Sequence, residues 1–433
     1  MLTPIDVARQ NSSLIRASVF LLIAATSAPA QVFTGLGTPL NEGVATTPAG
    51  ISDRVPVVIG VNQSDAMLPI PSGEPFRWTK PAGLESLGLL PNAVSGMGDL
   101  VSGDGTAIAG RNYFHGEPRA YTSQAFVWTK RDGLVAVPFL PGGSCSNSIA
   151  GLSDSGEVLV GSSESAVGFQ AFVWTRSTGT TGLGCLPGKT YSVGQGISAD
   201  GTVIVGQSGR PGSPQTIEGF RWTKQEGMTG LGFLPGMTED DALSVSADGQ
   251  VIIGTTYGGD CNGQAFRWTR ATGIVGLGFL PGQNYSFARA LSADGSVVAG
   301  DAQVSWRSPA RQAFRWTESG GMVGLGFLSG GGNYSIVLGL SDDGTRLAGA
   351  SDSAEGIQAY LWTEAEGMRS VRDVLVNDYG VDLAGWTLLA ATLSADGQTL
   401  TGRGLNPSGQ EEGWVADLHG AQVKSRKLKE AAR

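Results

Sequence analysis

Gln264-Ala265-Phe266-Arg267-Trp268-Thr269, then Gly276-Leu277-Gly278-Phe279-Leu280-Pro281-Gly282, then Leu291-Ser292-Ala293-Asp294-Gly295-Ser296-Val297-Val298-Ala299-Gly300: these runs decide the fold, because the chain repeats them almost end to end. The aromatic-x-Trp element returns at Trp78, Trp128, Trp174, Trp222, Trp268, Trp316, Trp362 and Trp414, at spacings of 46 to 52 residues. Phe stands two residues before Trp in most copies, Tyr360 does so in one, and the last reads Glu412-Gly413-Trp414. Ser-x-Asp-Gly or a near variant precedes each copy, at Asp104, Asp154, Asp200, Asp248, Asp294, Asp343 and Asp396, with Ser52-Asp53 as a degenerate first member. A fixed period of this size marks a repeat architecture, to be recognised before any residue is read as catalytic. Both markers count eight units.

Each unit holds four short strand-like runs. Tyr285 to Leu291 is one, ended by Ala293-Asp294-Gly295, and Ser296 to Gly300 is the second. Asp-Gly between apolar runs signals a hairpin, since the turn needs positive φ. Gln312 to Thr317 is the third run, with Phe314 and Trp316 two apart and so on one face. Gly321 to Leu328 is the fourth. Four antiparallel strands per unit describe a blade, and the fold class expected is an all-β single β-propeller of eight four-stranded blades. Seven blades is the alternative, if the degenerate first copy does not form one. The Phe/Trp face is expected to pack between blades.

The ends are complementary. Val32 to Gly37 copies the fourth run without a preceding third, and Gly413 to Leu418 is a third run without a following fourth. Pairing of these N- and C-terminal strands would close the ring and leave no open edge. Unit seven departs from the pattern: its fourth run is replaced by Val371 to Trp386, read as a short helix before Gly380.

Charged residues make up 15% of the chain and Gly 67 of 433 residues, a composition that suits many tight turns between short strands. A net charge of −9 argues against a nucleic-acid or anionic-membrane surface. Arg9 and Arg16, the apolar run Ala17 to Ala25, and Ala28-Pro29-Ala30 before Gln31 carry the pattern of a cleaved signal peptide. The run is too short for a comfortable membrane span. The expected organisation is therefore a signal peptide over 1–30, a propeller over 31–420 and a basic, solvated tail over 421–433, in a chain that is exported to the envelope or outside the cell. Cys145, Cys185 and Cys261 form no disulfide framework or zinc pattern and read as small apolar fillers.

Ala-Phe-x-Trp-Thr, Leu-Gly-x-Leu-x-Gly and Ser-x-Asp-Gly-x-x-x-x-Gly together resemble the HAF repeat of extracellular bacterial proteins, over about Val32 to Leu418. Asp382-Leu-Ala-Gly-Trp386 and Asn406 to Trp414 resemble that family's C-terminal unit. The resemblance implies an exported repeat protein and no established chemistry. The family's His before Ala-Phe is replaced here by Gln124, Gln170, Gln264, Gln312 and Gln358, or by Glu218 before Gly219, and its Leu-Gly-Gly turn has mostly become Leu-Pro-Gly.

Candidate chemistry is sparse. His115 and His419 are the two histidines, and neither has a nucleophile at a recognisable spacing. The repeated Asp residues belong to turns, and Arg221, Arg267 and Arg315 share one strand position suited to stem packing and surface charge. The Ser-x-Asp-Gly series departs from the sialidase Asp box, because in most copies Gly follows Asp directly and no aromatic follows. Gly-rich runs such as Ser329 to Gly332 lack the Lys of a phosphate loop. No catalytic residue, metal site or cofactor is assigned.

Binding is the better candidate. If the Asp-Gly turns lie on one face, the loops before run one and between runs two and three lie on the other. Those loops carry the candidate ligand-binding residues Tyr113, Phe114, Tyr191, Tyr257, Tyr285, Trp306 and Tyr334. Variable loops on a rigid scaffold commonly carry recognition, and Tyr, Trp and Arg are its usual contacts. The plainer reading has the Tyr residues plugging the blade tops. Glu239-Asp240-Asp241, placed in the same loops, reads as a solvated acidic stretch rather than a calcium loop. The function expected is a secreted, non-enzymatic monomer that binds an extracellular protein or glycan, with no nucleic-acid partner and no stable membrane insertion. An extracellular carbohydrate-active enzyme and a structural envelope component are the alternatives. An enzyme should gather non-repeated polar residues at one end of the central channel; a binder should show a broad aromatic patch.

Overall fold

In a computed structural model, the described residues are 32–37, 45–65, 72–115, 121–210, 212–258, 263–305, 307–383, 385–419 and 421. Residues 1–31, where a signal peptide is expected, Cys261, Trp306 and the tail beyond residue 421 lie outside them. Eight four-stranded antiparallel sheets follow one another along the chain as the blades of a β-propeller. Blades 1 to 7 span residues 45–86, 95–136, 147–182, 191–230, 237–276, 285–324 and 335–370, and blade 8 spans 387–417 with Phe33–Gly35 as its outer strand. The degenerate first copy does form a blade.

Closure follows the complementary ends. Phe33, Thr34 and Gly35 pair with Ala416, Val415 and Trp414, and the Phe33 ring lies 6.0 Å from the Trp414 ring and 5.4 Å from that of Trp386. Blade 8 is joined to blade 1 by the Gly413 N–H, which donates to the Thr46 hydroxyl over 2.9 Å, and by the Lys80–Asp417 ion pair.

The buried side chains fall into eight clusters, one at each blade interface. Phe314 and Trp316 of blade 6, for example, pack on Ile253, Ala265, Leu277 and Leu280 of blade 5. A single sheet has no second layer of its own, so its apolar faces are covered by its neighbours. Burial of each Phe contributes about 2–3 kcal/mol, and Phe76, Phe126, Phe172, Phe220, Phe266 and Phe314 are all fully buried.

The last Gly of the Ser-x-Asp-Gly-x-x-x-x-Gly motif has a geometric cause. The inner strand of every blade carries a β-bulge. A bulge bends the strand and increases its local twist. The residue facing it is Gly60, Gly110, Gly161, Gly206, Gly254, Gly300, Gly349 or Gly402, and a Cβ at any of them would overlap an inner-strand carbonyl oxygen.

Unit seven differs from the expectation in one respect. Its fourth strand is present, Gly367–Ser370, and the insertion follows it as a short helix, Val371–Asp373 continued in a π-wound turn, Val374–Asp378. Ser370 caps the helix by accepting the Asp373 N–H, and Arg369 holds Asp378 over 2.6 Å. Val371, Val374 and Leu375 fill the space between blades 7 and 8. Among the described residues no helix is long and apolar enough to cross a membrane.

Candidate functional site: the mouth of the channel over blades 4 to 7

The two faces differ in how they treat polar residues. On the first, each turn is closed by its own side chains. In blade 6 the Ser292 hydroxyl donates to Asp294 over 2.7 Å, Asp294 accepts the Ser296 N–H over 2.9 Å, and Ser292 accepts the Val297 N–H over 2.9 Å. Gly295 follows at φ +72°, the left-handed conformation the turn requires. The same set recurs around Asp104, Asp200, Asp248, Asp343 and Asp396. The Ser296 N–H and the Ser292 hydroxyl hold Asp294 below the usual carboxylate range. At Asp200 burial opposes the same hydrogen bonds and loses to them.

Asp154 does not occupy this position. In blade 3, Ser155 replaces the turn carboxylate, and Asp154 falls one residue earlier. That earlier position forms a girdle round the axis: Asp154 N–H donates to Ala199 O, Ala199 to Ala247, Ala247 to Ala293, Ala293 to Asp342, and Asp342 to Ala395. Asp53, from blade 1, is pushed up to about 6 by burial, with the Asp342 and Asp154 charges adding to the rise.

The repeated arginines do more than the packing expected of them. Arg267 and Arg315 donate to the carbonyls of Gly295 and Gly344 in the next blade, and Arg315 lies 5.9 Å from the Trp362 ring. They clamp one blade to the next. His419 sits between Asp417 and Asp396, at 2.9 and 2.7 Å; burial pulls its pKa down, but the two carboxylates outweigh it and raise the value. Both ring nitrogens are thus engaged with carboxylates. His115 ends the second strand of blade 2 and pairs with Tyr121 in the ladder. This face also holds grooves that sequence reasoning missed. One of 480 Å³ lies beside Trp78, Lys80 and Asp417, and one of 660 Å³ lies between blades 2 and 3 beside Trp174 and Arg176.

The opposite face has a latch that recurs in five of the eight blades. Near the start of the inner strand, Thr46, Asn147, Ser192, Ser286 and Ser335 each accept a backbone N–H from the third strand of the preceding blade. Blade 5 places Asp240 there. The expectation of a solvated acidic loop is overturned, because Glu239, Asp240 and Asp241 lie within the inner strand Met237–Val245 and Asp240 is 1% exposed. Its carboxylate is drawn toward the Gly219 N–H without a well-formed hydrogen bond. Burial pushes Asp240 up to about 8, with Glu218 and Asp241 adding to the rise. Gly219 replaces the Ala of blades 2, 3, 5, 6 and 7, and a Cβ there would press on the Asp240 carboxylate. Asp241 accepts the Thr255 N–H over 3.0 Å, and burial pushes it up to about 6.

Further round the mouth, Arg289 is the bulge residue of blade 6. Its Nε and Nη2 donate to Asp301 over 2.6 and 3.4 Å, and its guanidinium lies 5.9 Å from the Phe287 ring. Arg311 Nη1 approaches the other oxygen of Asp301 at 3.6 Å. Asp301 is 0% exposed, whereas Arg289 and Arg311 are 44% and 35% exposed. Burial opposes the charge on Arg289 and Asp301 outweighs it, and the Tyr257 and Tyr334 side chains lie near Arg289. Directly across the ring, blade 2 uses the same two positions with the signs exchanged, and Arg111 grips Asp99 over 2.9 and 3.0 Å. Among the described residues no group of three or more His, Cys, Asp or Glu is arranged to hold a metal ion.

The sequence-derived aromatics divide between these regions. Tyr191, Tyr257, Tyr285 and Tyr334 belong to consecutive blades 4 to 7, while Tyr113 and Phe114 stand apart in blade 2. Tyr285 is buried, 6.2 Å from Phe287, so it plugs the blade top and offers no contact surface. Tyr113 is half-buried and its hydroxyl turns to the Met97 sulfur. Trp306 lies outside the described residues, and the remaining six are half-buried or buried, forming no broad aromatic patch. Arg289, Asp301 and Arg311 went unread, although Arg289 and Asp301 interrupt the small and neutral residues that most other blades carry there. Cys145 and Cys185 are free thiols; Cys145 is exposed and donates to Glu164 over 3.1 Å, so it is no apolar filler.

No model of a known protein family matches the chain, and no curated protein matches it. Among solved structures, the Dos1 propeller is similar at a TM-score of 0.53 and 11% identity, over 92% of this chain and 97% of that one. A prolyl endopeptidase is similar at 0.53 and 14% identity, over 87% of this chain and 55% of that one. TolB from Acinetobacter baumannii is similar at 0.39 and 13% identity, over 85% of this chain and 81% of that one. Identities this low tie the chain to the β-propeller fold and to nothing narrower.

Proposed function

We propose that the chain is an exported, non-enzymatic binding propeller that takes a protein or glycan at the channel mouth over blades 5 to 7. The observation that carries this reading is the fully buried Asp301, which fixes two half-exposed arginines beside Tyr257 and Tyr334. Of the other blades only blade 2 carries a charge pair at these two positions, with the signs exchanged, so the pair does not follow the repeat as the turns do. Rigid, part-exposed Arg and Tyr side chains are the residues that interfaces use as anchors. Export to the envelope or the extracellular space is part of the same proposal, supported by Arg9, the apolar run from Ala17 and Ala28-Pro29-Ala30. So is kinship with HAF-repeat proteins, which the repeated motifs support.

The gathering of non-repeated polar residues also favours the enzyme alternative, a carbohydrate-active enzyme with Asp241 as its acid or base. Asp240, the most perturbed carboxylate, is turned into the interface with blade 4, where a substrate would not reach it. The two readings separate in one experiment. The full chain is screened against a defined panel of glycans and purified extracellular proteins, with a Tyr257→Ala/Tyr334→Ala variant alongside. The proposal expects a specific ligand, lost by the variant with its circular dichroism intact and released chemically unchanged. A ligand returned cleaved establishes the enzyme reading, and a ligand held equally by the variant removes this mouth from the account.

A further inference from the structure

The ligand's chemistry follows from the same mouth, and this inference rests on the recognition reading above. Two guanidinium groups, those of Arg289 and Arg311, meet the one buried carboxylate of Asp301, and Asp241 also lies near enough to act on Arg289. A guanidinium has five N–H donors in a rigid fork. Arg289 spends its Nε and Nη2 on Asp301 and its side chain is 44% exposed, so part of the guanidinium is left open to solvent. Asp301 on one side and the Phe287 ring on the other fix its plane. Such a group is preorganised for a planar anion, which it can meet with paired hydrogen bonds.

The surroundings narrow the anion. Asp241 acts on both Arg289 and Tyr257, so a dianion would meet a nearby carboxylate, whereas a monoanionic carboxylate meets less repulsion. Glu239, which acts on Tyr257, adds to that repulsion, and Tyr257 and Tyr334 supply rings and hydroxyls that suit a hydroxyl-rich ring. An acidic peptide would want an apolar recess beside its carboxylate, and the apolar-walled groove at Trp78 opens on the other face. We propose that the mouth over blades 5 to 7 binds a carboxylate-bearing sugar, a uronate unit of an acidic glycan, held at its carboxylate by Arg289 and Arg311 and flanked by Tyr257 and Tyr334.

The test is calorimetric titration of the full chain with tetragalacturonate, with its fully methyl-esterified form and with tetraglutamate. Tetragalacturonate is expected to bind, with the ester and the peptide each at least tenfold weaker. Arg311→Gln should weaken tetragalacturonate binding at least tenfold, and Arg311→Lys should restore part of it. Arg311 lies 3.6 Å from Asp301 and leaves the Arg289–Asp301 pair intact when replaced, so this variant keeps the fold. A second variant, Arg289→Gln with Asp301→Asn, removes the charges together and leaves no unpaired buried carboxylate; it should abolish binding. If the ester binds as tightly as the acid and Tyr334→Ala weakens both, recognition stands and the carboxylate inference falls. Tighter binding of tetraglutamate would make the occupant an acidic peptide and overturn the sugar. If none of the three binds, the inference falls, and the recognition reading falls with it only if the wider panel also yields no ligand at this mouth.

Discussion

Carboxylates at the turns of one face and carboxylates at the inner-strand ends of the other are shifted in opposite directions. Asp104, Asp200, Asp294, Asp343 and Asp396 accept hydrogen bonds from their own hairpins that outweigh burial and hold them below the usual range. Asp240 and Asp241, on blade 5, are buried beyond the reach of such a set and pushed up to about 8 and about 6. The first group makes the fold. The second is tolerated by it, since Ser at the position of Asp240 serves blades 4, 6 and 7 without a buried charge. Residues that weaken a scaffold and break its repeat are where function is to be sought.

The largest effect should come from the scaffold side. Gly254→Ala and Gly300→Ala each drive a Cβ into an inner-strand carbonyl, of Asp241 and of Phe287 respectively. Each should lose about 3 kcal/mol in chemical denaturation, as overpacking against rigid backbone does. Near-equal losses in the two blades would show that the scaffold is indifferent to the site. A loss in one blade alone would break the comparison.

Asp240→Ser should act in the opposite sense. The folded-state value of about 8 stands above the ordinary 3.8, so the native chain holds a proton that the unfolded chain releases between them. Stability from this group is therefore greatest at low pH and falls as pH rises from 3.8 to about 8. Removing the carboxylate should stabilise the protein at pH 8 by about 2 kcal/mol, and the urea midpoint should vary less between pH 5 and pH 8. An unchanged pH profile would show that Asp240 already finds a partner.

Asp294→Ala should be milder, a loss of about 1 kcal/mol, the net worth of a hydrogen-bonded turn. Because Asp294 is held low, its contribution is complete above 3.8 and is lost as pH falls through its lower folded-state value. The variant and the parent should therefore converge in acid, below the range where Asp240→Ser shows its effect.

Much of this molecule could be read before its structure. Period, blade number, strand order and ring closure all follow from residues that recur, because each blade solves the same packing problem with the same Phe, Trp, Ser and Gly. The seam was legible for the same reason: a fourth run at Val32 to Gly37 has no meaning except as the missing strand of blade 8. The site was less legible. Tyr257 and Tyr334 were found as aromatics at loop positions, but burial of Tyr285 depends on Phe287 beneath it, and Asp240 passed for a loop residue because Glu239-Asp240-Asp241 has little strand propensity. Arg289 and Asp301 meet only when a bulge turns the inner strand, a feature without a local sequence signature beyond the Gly opposite. Asking which residues break the repeat would have found them.

The most direct test of the account compares the two faces in one assay. The full chain, a mouth variant (Tyr334→Ala/Arg311→Gln) and a turn-face variant (Lys130→Ala/Arg176→Ala) are measured against the same panel of glycans and extracellular proteins. The account predicts a ligand that the parent and the turn-face variant hold alike and the mouth variant loses by at least tenfold. Loss in the turn-face variant with the mouth variant unaffected would contradict it, and would move recognition to the grooves beside Trp78 and Trp174.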